Sequence, residues 1–357
     1  MKLNCTLQNL IHNYFWGTKF NSEYIDGPYT LSLQYSKKYN KTIYIFGETH
    51  GFQRQCKEVY PNSSSVTIVE YLNELFNNTD VFIDFYLETV PSSGYKLKTK
   101  HMFSFSEGSA SILNRIRWEY EKCLDPKQWN DCQLNTIRAH FVDLREDTKI
   151  KPKPQNIMEK MTVDIGVLES KKLTKTIIKR FFKKYKTLIK KIRSLKSRTE
   201  ITDFYIKFLK SIPMLTKEIK RSDLDEDTVY KLAKKVYYKR YSKDTLKEIN
   251  YSIPDDDSFK EWDYALWYID RVVQKMQVGL VDVYTLVRTF KTFRKTKRHQ
   301  PQEISNIIYY FGNAHATNLR LYLKLLGFNR LNTIKSGSGK KTQRCLKMRD
   351  FPQPFFE

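Results

Sequence analysis

The chain has 357 residues, 63 of them Lys or Arg and 39 Asp or Glu, for a formal net charge of +24. This length buries a sizeable core in one large domain or two, and the charge attracts polyanions whatever the fold: nucleic acid, an anionic membrane surface or an acidic protein. No window reaches about 18 consecutive apolar residues and Met1 to Phe20 lacks an apolar h-region, so neither a membrane span nor a signal peptide is expected and the setting reads as intracellular. Five Cys, at 5, 56, 123, 132 and 345, are odd in number and form no C-x-x-C pair. They read as free thiols in a reducing compartment.

Residues 1–41 are mixed and polar, with a turn at Asp26-Gly27-Pro28. Thr42–Phe46 reads as a buried strand that ends at Gly47, followed by Glu48, Thr49 and His50. From Ser65 to Phe76 the apolar residues Val66, Val69, Leu72, Leu75 and Phe76 recur at helical spacing, with Asn77-Asn78 as the stop. Val81–Glu88 is the next strand, and alternation puts Phe82, Asp84, Tyr86 and Glu88 on one face. This order is the βαβ pattern of a parallel sheet. Pro91 to Glu107 is loop-like, Ser111 to Cys123 helical, and Ile137–Leu144 a third strand running into Asp143-Leu144-Arg145-Glu146-Asp147. Lys151-Pro152-Lys153-Pro154 then breaks the chain.

Beyond the break, Lys171 to Arg198 holds thirteen Lys or Arg and no acidic residue. Leu173, Ile177, Phe181, Tyr185, Leu188, Ile192 and Leu195 keep helical spacing within it, which makes it a basic amphipathic helix. Lys183, Lys184, Lys190 and Lys191 are its candidate nucleic-acid or anion-binding residues; the alternative is a solvated face around an apolar stripe. Further helices are predicted at 201–211, 226–240 and 259–277, the last with a Ser258-x-x-Glu261 capping box, and another through Val281–Phe293. A fourth strand, Ile307–Phe311, runs to Gly312 and His315, and Asn318–Leu326 continues as a helix to Gly327. Ser336 to Lys341 reads as a linker, and Phe351–Glu357 as a tail that docks on the body or on a partner. The expected class is α/β, a mixed, largely parallel central sheet with flanking helices. The expected divisions are a core over 1–150 and 300–335, a basic helical insertion over 151–299, and a linker with C-terminal tail over 336–357.

Tyr44-Ile45-Phe46-Gly47-Glu48-Thr49-His50 and Tyr309-Tyr310-Phe311-Gly312-Asn313-Ala314-His315 share one pattern, an apolar run, a Gly, two residues and a His. With only six His in the chain, two in one context point to a shared site, which α/β sheets place beyond the C-terminal strand ends. Two imidazoles with Glu48 or Glu88 are the ligand set of a divalent cation such as zinc, manganese or cobalt. A remaining carboxylate can act as general base, and Arg145 can stabilise an oxyanion. His12, His101, His140 and His299 have no supporting context and read as structural or surface residues.

These residues resemble the superfamily of Tiki metalloproteases, TraB-like proteins, erythromycin esterases and ChaN-like haem-binding lipoproteins. Phe46-Gly47-Glu48-Thr49-His50-Gly51 is similar to the esterase-type first motif, Leu87-Glu88 to the family's Glu, Gly312-Asn313-Ala314-His315 to the second Gly-x-x-His, and Arg145 to a middle-motif Arg. Ala314-His315-Ala316, Asn318 and Leu326-Gly327-Phe328 further resemble uncharacterised proteins of large eukaryotic DNA viruses. The resemblance covers roughly 40–150 and 300–330 and leaves out the basic region. It implies a metal-dependent hydrolase that activates water against a peptide or ester, with His50, Glu88 and His315 on the metal and Glu48, Glu88 and Arg145 in catalysis. The alternative is a basic, non-enzymatic viral protein, virion-associated or bound to nucleic acid, located in host cytoplasm or virion, that keeps the fold as a scaffold. A third reading is a small-ligand binder without turnover.

Overall fold

The computed structural model describes residues 23–49, 55–89, 112–124, 131–143, 161, 164, 175–251, 259–294, 300–337, 344–349, 351–353 and 355–356. The chain divides into two compact units, Met1–Asp143 with Thr292–Glu357, and Leu144–Lys291.

In the first unit the elements run β1 (Tyr24–Asp26), β2 (Thr30–Ser36), β3 (Lys41–Glu48), α1 (Cys56–Val59), β4 (Ser65–Thr67), α2 (Ile68–Asn78), β5 (Ile83–Leu87), α3 (Ile112–Glu119), α4 (Glu121–Leu124) and β6 (Ile137–Phe141). The second unit holds α5 (Lys175–Arg193), α6 (Arg198–Lys210), α7 (Pro213–Ile219), α8 (Glu226–Arg240), α9 (Ser242–Tyr251) and α10 (Phe259–Thr289). The chain then returns to the first unit as β7 (Asn306–Gly312), α11 (Asn313–Leu325), β8 (Asn329–Lys335) and β9 (Cys345–Lys347).

Six strands form one sheet in the order β6-β5-β7-β3-β2-β8, and β4-β1-β9 form a second. β5, β6, β7 and β3 pair in parallel, as the βαβ reading expects, and β7 lies directly beside β3. β2, however, is antiparallel to both β3 and β8, so the sheet is mixed rather than largely parallel. Neither β2 nor β8 is among the expected elements. In β2 the residues Thr30, Ser32, Gln34 and Ser36 are buried like the apolar ones between them, so its sequence lacks the polarity contrast of a half-buried strand.

One face of the large sheet, with Tyr44, Phe46, Ile83, Phe85, Ile308 and Tyr310, packs on α2 and α3 to form the main core. A capping box starts α2, with Glu70 N–H donating to Thr67 Oγ1 and Thr67 N–H to Glu70 Oε2. Gly327, at φ +87°, ends α11 in the left-handed region, the stop the sequence marks. The closing residues belong to this core: β9 pairs with β1, and Phe355 stacks on Tyr44 at 3.9 Å.

The expectation of free thiols is corrected for four of the five cysteines. Cys56 and Cys345 form one disulfide and Cys123 and Cys132 another. The first joins residues 289 apart, a pairing that appears only once β1 holds β4 on one side and β9 on the other.

In the helical unit α10 is a single 31-residue helix where two were expected. The apparent break, Gly279, is a packing position: a Cβ there would lie 2.5 Å from the hydroxyl of Tyr205, whose ring stacks on Tyr237 at 3.9 Å. In α5 the stripe Phe181, Tyr185, Leu188 and Ile192 is buried with Phe182 and Ile189. Ser258 and its expected capping box lie outside the described residues. No helix among the described residues is long and apolar enough to cross a membrane.

Candidate active site

β5, β7 and β3 are neighbours in the sheet and run the same way, so their C-terminal ends lie side by side. Leu87 pairs with Tyr310 and Glu48 with Gly312, which puts Glu88, the residues around Gly312, and Glu48 at one edge. The backbone N–H of Glu88 continues the ladder to the Tyr310 carbonyl at 3.2 Å.

Glu88 and His315 meet here. Gly312 is the N-cap of α11, and its backbone N–H donates to Glu88 Oε2 at 2.6 Å. His315, in the first turn of the helix, places Nε2 3.1 Å from Glu88 Oε1. Both side chains are about 5% exposed or less. The positive end of α11 and the charge-assisted N–H bond both favour the ionised carboxylate at this point.

Glu48 is also buried, and burial pushes its carboxyl up to about 7. The Tyr310 hydroxyl, the Leu113 backbone and Arg344 oppose that rise, and the nearby Glu88 adds to it. Two carboxylates thus share the strand ends with different neighbours, Glu88 facing Gly312 and His315 while Glu48 lies beside Tyr310. Gly47 makes the close approach of α11 possible. A Cβ there would lie 2.7 Å from Asn313 Oδ1 and would run into Thr30 Oγ1, which donates to the same Asn313 oxygen at 3.1 Å.

Of the expected site residues, Glu48, Glu88 and His315 come to one sheet edge, while His50 and Arg145 lie outside the described residues. Among the described residues no three His, Cys, Asp or Glu side chains converge as a metal-holding group; Glu88 and His315 supply two members of the expected set. Lys183, Lys184, Lys190 and Lys191 are exposed on α5, and Lys184 pairs with Asp164 at 2.5 Å.

Asp84 is not a member of this site. It binds Arg138 through two hydrogen bonds, Nε to Oδ1 at 2.6 Å and Nη2 to Oδ2 at 3.0 Å, and His140 Nε2 at 2.7 Å. The Arg138 guanidinium also donates to the Pro301 carbonyl and stacks 3.9 Å from the Phe293 ring centre. His140, read from sequence as without context, is therefore part of a buried polar cluster. The available signal is the period of two in Ile137–Phe141, which puts Arg138 and His140 on one face of an otherwise apolar strand.

Comparison with known protein families, with curated proteins and with solved structures finds no match for this chain.

Proposed function

We propose that the α/β unit is a hydrolase acting on a peptide or ester, with a divalent cation held by Glu88, His315 and His50. The observation that supports it is the buried Glu88–His315 pair, built from the end of β5 and the first turn of α11, far apart in sequence, with Glu48 at the end of β3. The pair suits such a cation. Its two donor atoms are 3.1 Å apart, close to the roughly 3.3 Å that separates neighbouring ligands of a tetrahedral ion with bonds of about 2.0–2.2 Å. When bound, zinc, manganese or cobalt supplies Lewis acidity toward a water or a carbonyl oxygen.

The chain's own residues do the rest. The Gly312 N–H fixes one oxygen of Glu88 and so aims the other at His315. Glu48, its pKa raised toward neutral pH by its burial, takes a proton from the attacking water and returns it to the leaving group. Arg145 is the oxyanion-stabilising residue that the motif resemblance implies. Elemental analysis of purified protein tests the reading: about one divalent ion per chain is expected, lost in a His50→Ala, His315→Ala double variant. Equal metal content in both, or none in either, defeats it.

A second reading is favoured by α5. With its apolar stripe buried, the exposed side carries Lys179, Arg180, Lys183, Lys186, Lys190 and Lys191 in a stretch without an acidic residue. In this reading the helical unit binds nucleic acid and the α/β unit is a scaffold, as in a virion-associated protein.

A further inference from the structure

A second polar cluster lies on the sheet face beneath α11, reaching the strand ends through Thr30, and it contains only donors and neutral acceptors. Arg320 of α11 donates Nε to Ser32 Oγ at 2.7 Å, Nη2 to Thr30 Oγ1 at 2.8 Å and Nη2 to the Ile45 carbonyl at 3.2 Å. No carboxylate among the described residues lies within ion-pairing distance of this partly buried cation. Buried charges are ordinarily paired, so the arrangement is incomplete as it stands. Arg138, the comparable guanidinium of β6, has Asp84.

The neighbours make the imbalance larger. Arg330 of β8 is near enough to add to burial in lowering the Arg320 pKa, to about 10. It stands there because of a β-bulge. Leu33 pairs with Asn332, but after the register shift Gln34 pairs with Arg330. Without the shift Gln34 would oppose Leu331, and Arg330 would oppose Tyr35 on the other face. The bulge thus leaves Leu331 59% exposed and turns a second arginine toward the first. Gln34, which shares the face of Ser32, is 2% exposed and its Nε2 has no hydrogen-bond partner. A buried amide donor left unpaired costs about 1–3 kcal/mol.

We propose that Arg320, Arg330, Ser32 and Gln34 form a binding site for a phosphate-class dianion, either inorganic phosphate or the head of a phosphomonoester. Two guanidiniums close enough to repel one another call for two negative charges. A phosphate monoester carries about −1.5 to −2 at neutral pH, whereas a carboxylate or a phosphodiester carries one. The tetrahedral oxygens meet the forked guanidinium donors, the amide of Gln34 and the hydroxyl hydrogen of Ser32.

The site is independent of the proposed metal centre, and titration calorimetry in EDTA keeps the two apart. Inorganic phosphate and phenyl phosphate are each titrated into the full chain at constant ionic strength, with chloride as reference. Saturable binding of either is expected, and the tighter of the two names the source. Arg330→Gln, on an exposed position of an edge strand, should weaken binding about tenfold or more, the loss of one charge-assisted hydrogen bond. Gln34→Met should weaken binding while leaving the phosphate-free melting temperature unchanged or higher. The α5 variant with Lys183, Lys184, Lys190 and Lys191 changed to Gln should bind phosphate as the parent does. Absence of saturable binding, or parental affinity in both Arg330→Gln and Gln34→Met, overturns the site.

Discussion

Replacing Asp84 by Leu should destabilise the large sheet far more than replacing Asp84 and Arg138 together. Asp84 and Arg138 are 1% and 6% exposed, so the single variant leaves a guanidinium in the interior with the Pro301 carbonyl and the Phe293 and Phe82 rings in place of a carboxylate. Removing one partner of a buried ion pair costs about 3–5 kcal/mol, and His140 loses its acceptor at a further cost of about 1–3 kcal/mol. We therefore expect about 4–8 kcal/mol for Asp84→Leu. Arg138→Met, which leaves the carboxylate with His140 alone, should cost about 3–5 kcal/mol. In the double variant no charge is stranded, and what remains is the loss of the Asp84 bond to His140 and of the Arg138 bond to Pro301, about 1–3 kcal/mol. Native-state hydrogen exchange of peptides covering β5 and β6 reads this sheet separately from the helical unit. Penalties that simply add, giving a double variant worse than either single one, would refute the account.

Four further outcomes are expected. Gly47→Ala should lose about 1–3 kcal/mol, because its Cβ meets Thr30 and Asn313 and forces α11 outward; a melting temperature unchanged from the parent contradicts this. Glu48 has a folded pKa near 7 against an ordinary value of 4.5. The folded state therefore holds the extra proton, and stability falls as pH rises between those values, by about 3 kcal/mol at most. Denaturation of Glu48→Gln and parent in EDTA should then coincide near pH 4 and favour the variant by pH 8, and a pH-independent difference argues against the buried carboxylate. The four-Lys variant of α5 should bind nucleic acid more weakly and with a shallower salt dependence, and unchanged affinity at low and moderate salt reduces that helix to a solvated face. Opening Cys56–Cys345, which closes a loop of 289 residues, should lower stability by up to about 5–6 kcal/mol on chain-entropy grounds, so equal denaturation of reduced and oxidised protein counts against a structural bond.

The parts of the fold legible in the sequence are those in which burial and polarity coincide. β3, β5 and β7 are predominantly apolar because both of their faces are covered, and α5 shows its apolar side because every other position of the helix is Lys, Arg or Thr. β2 is hidden for the opposite reason. Its Ser, Thr and Gln residues are buried, and part of what takes up their polarity, Arg320, comes from nearly 300 residues away. Gly279 misleads because a helix tolerates glycine when a neighbour needs the space, and only Tyr205 reveals that need. The candidate site is half legible. The Gly-x-x-His repeat marks His315 and Glu88 follows from its strand end, but the disulfides and the Asp84–Arg138–His140 cluster depend on strand order, which no local pattern carries.

That strand order also governs when the protein can fold. β7 sits between β5 and β3, so it alone joins the β6–β5 pair to the β3–β2–β8 group. It begins at Asn306, after the whole helical unit. On a growing chain, β3 and β5 therefore wait with open edges while Leu144–Lys291 is made, a period in which unpaired strands invite association with other chains. The helical unit can complete its own packing in that interval. Closure then pairs Thr42 with Asn306 and Ile83 with Asn306 from the other side, contacts of long sequence separation that form slowly. A chain released early keeps Glu48 and Glu88 but has neither His315 nor the strand that sets them side by side. The Glu88–His315 pair is thus absent from every nascent form that stops short of α11.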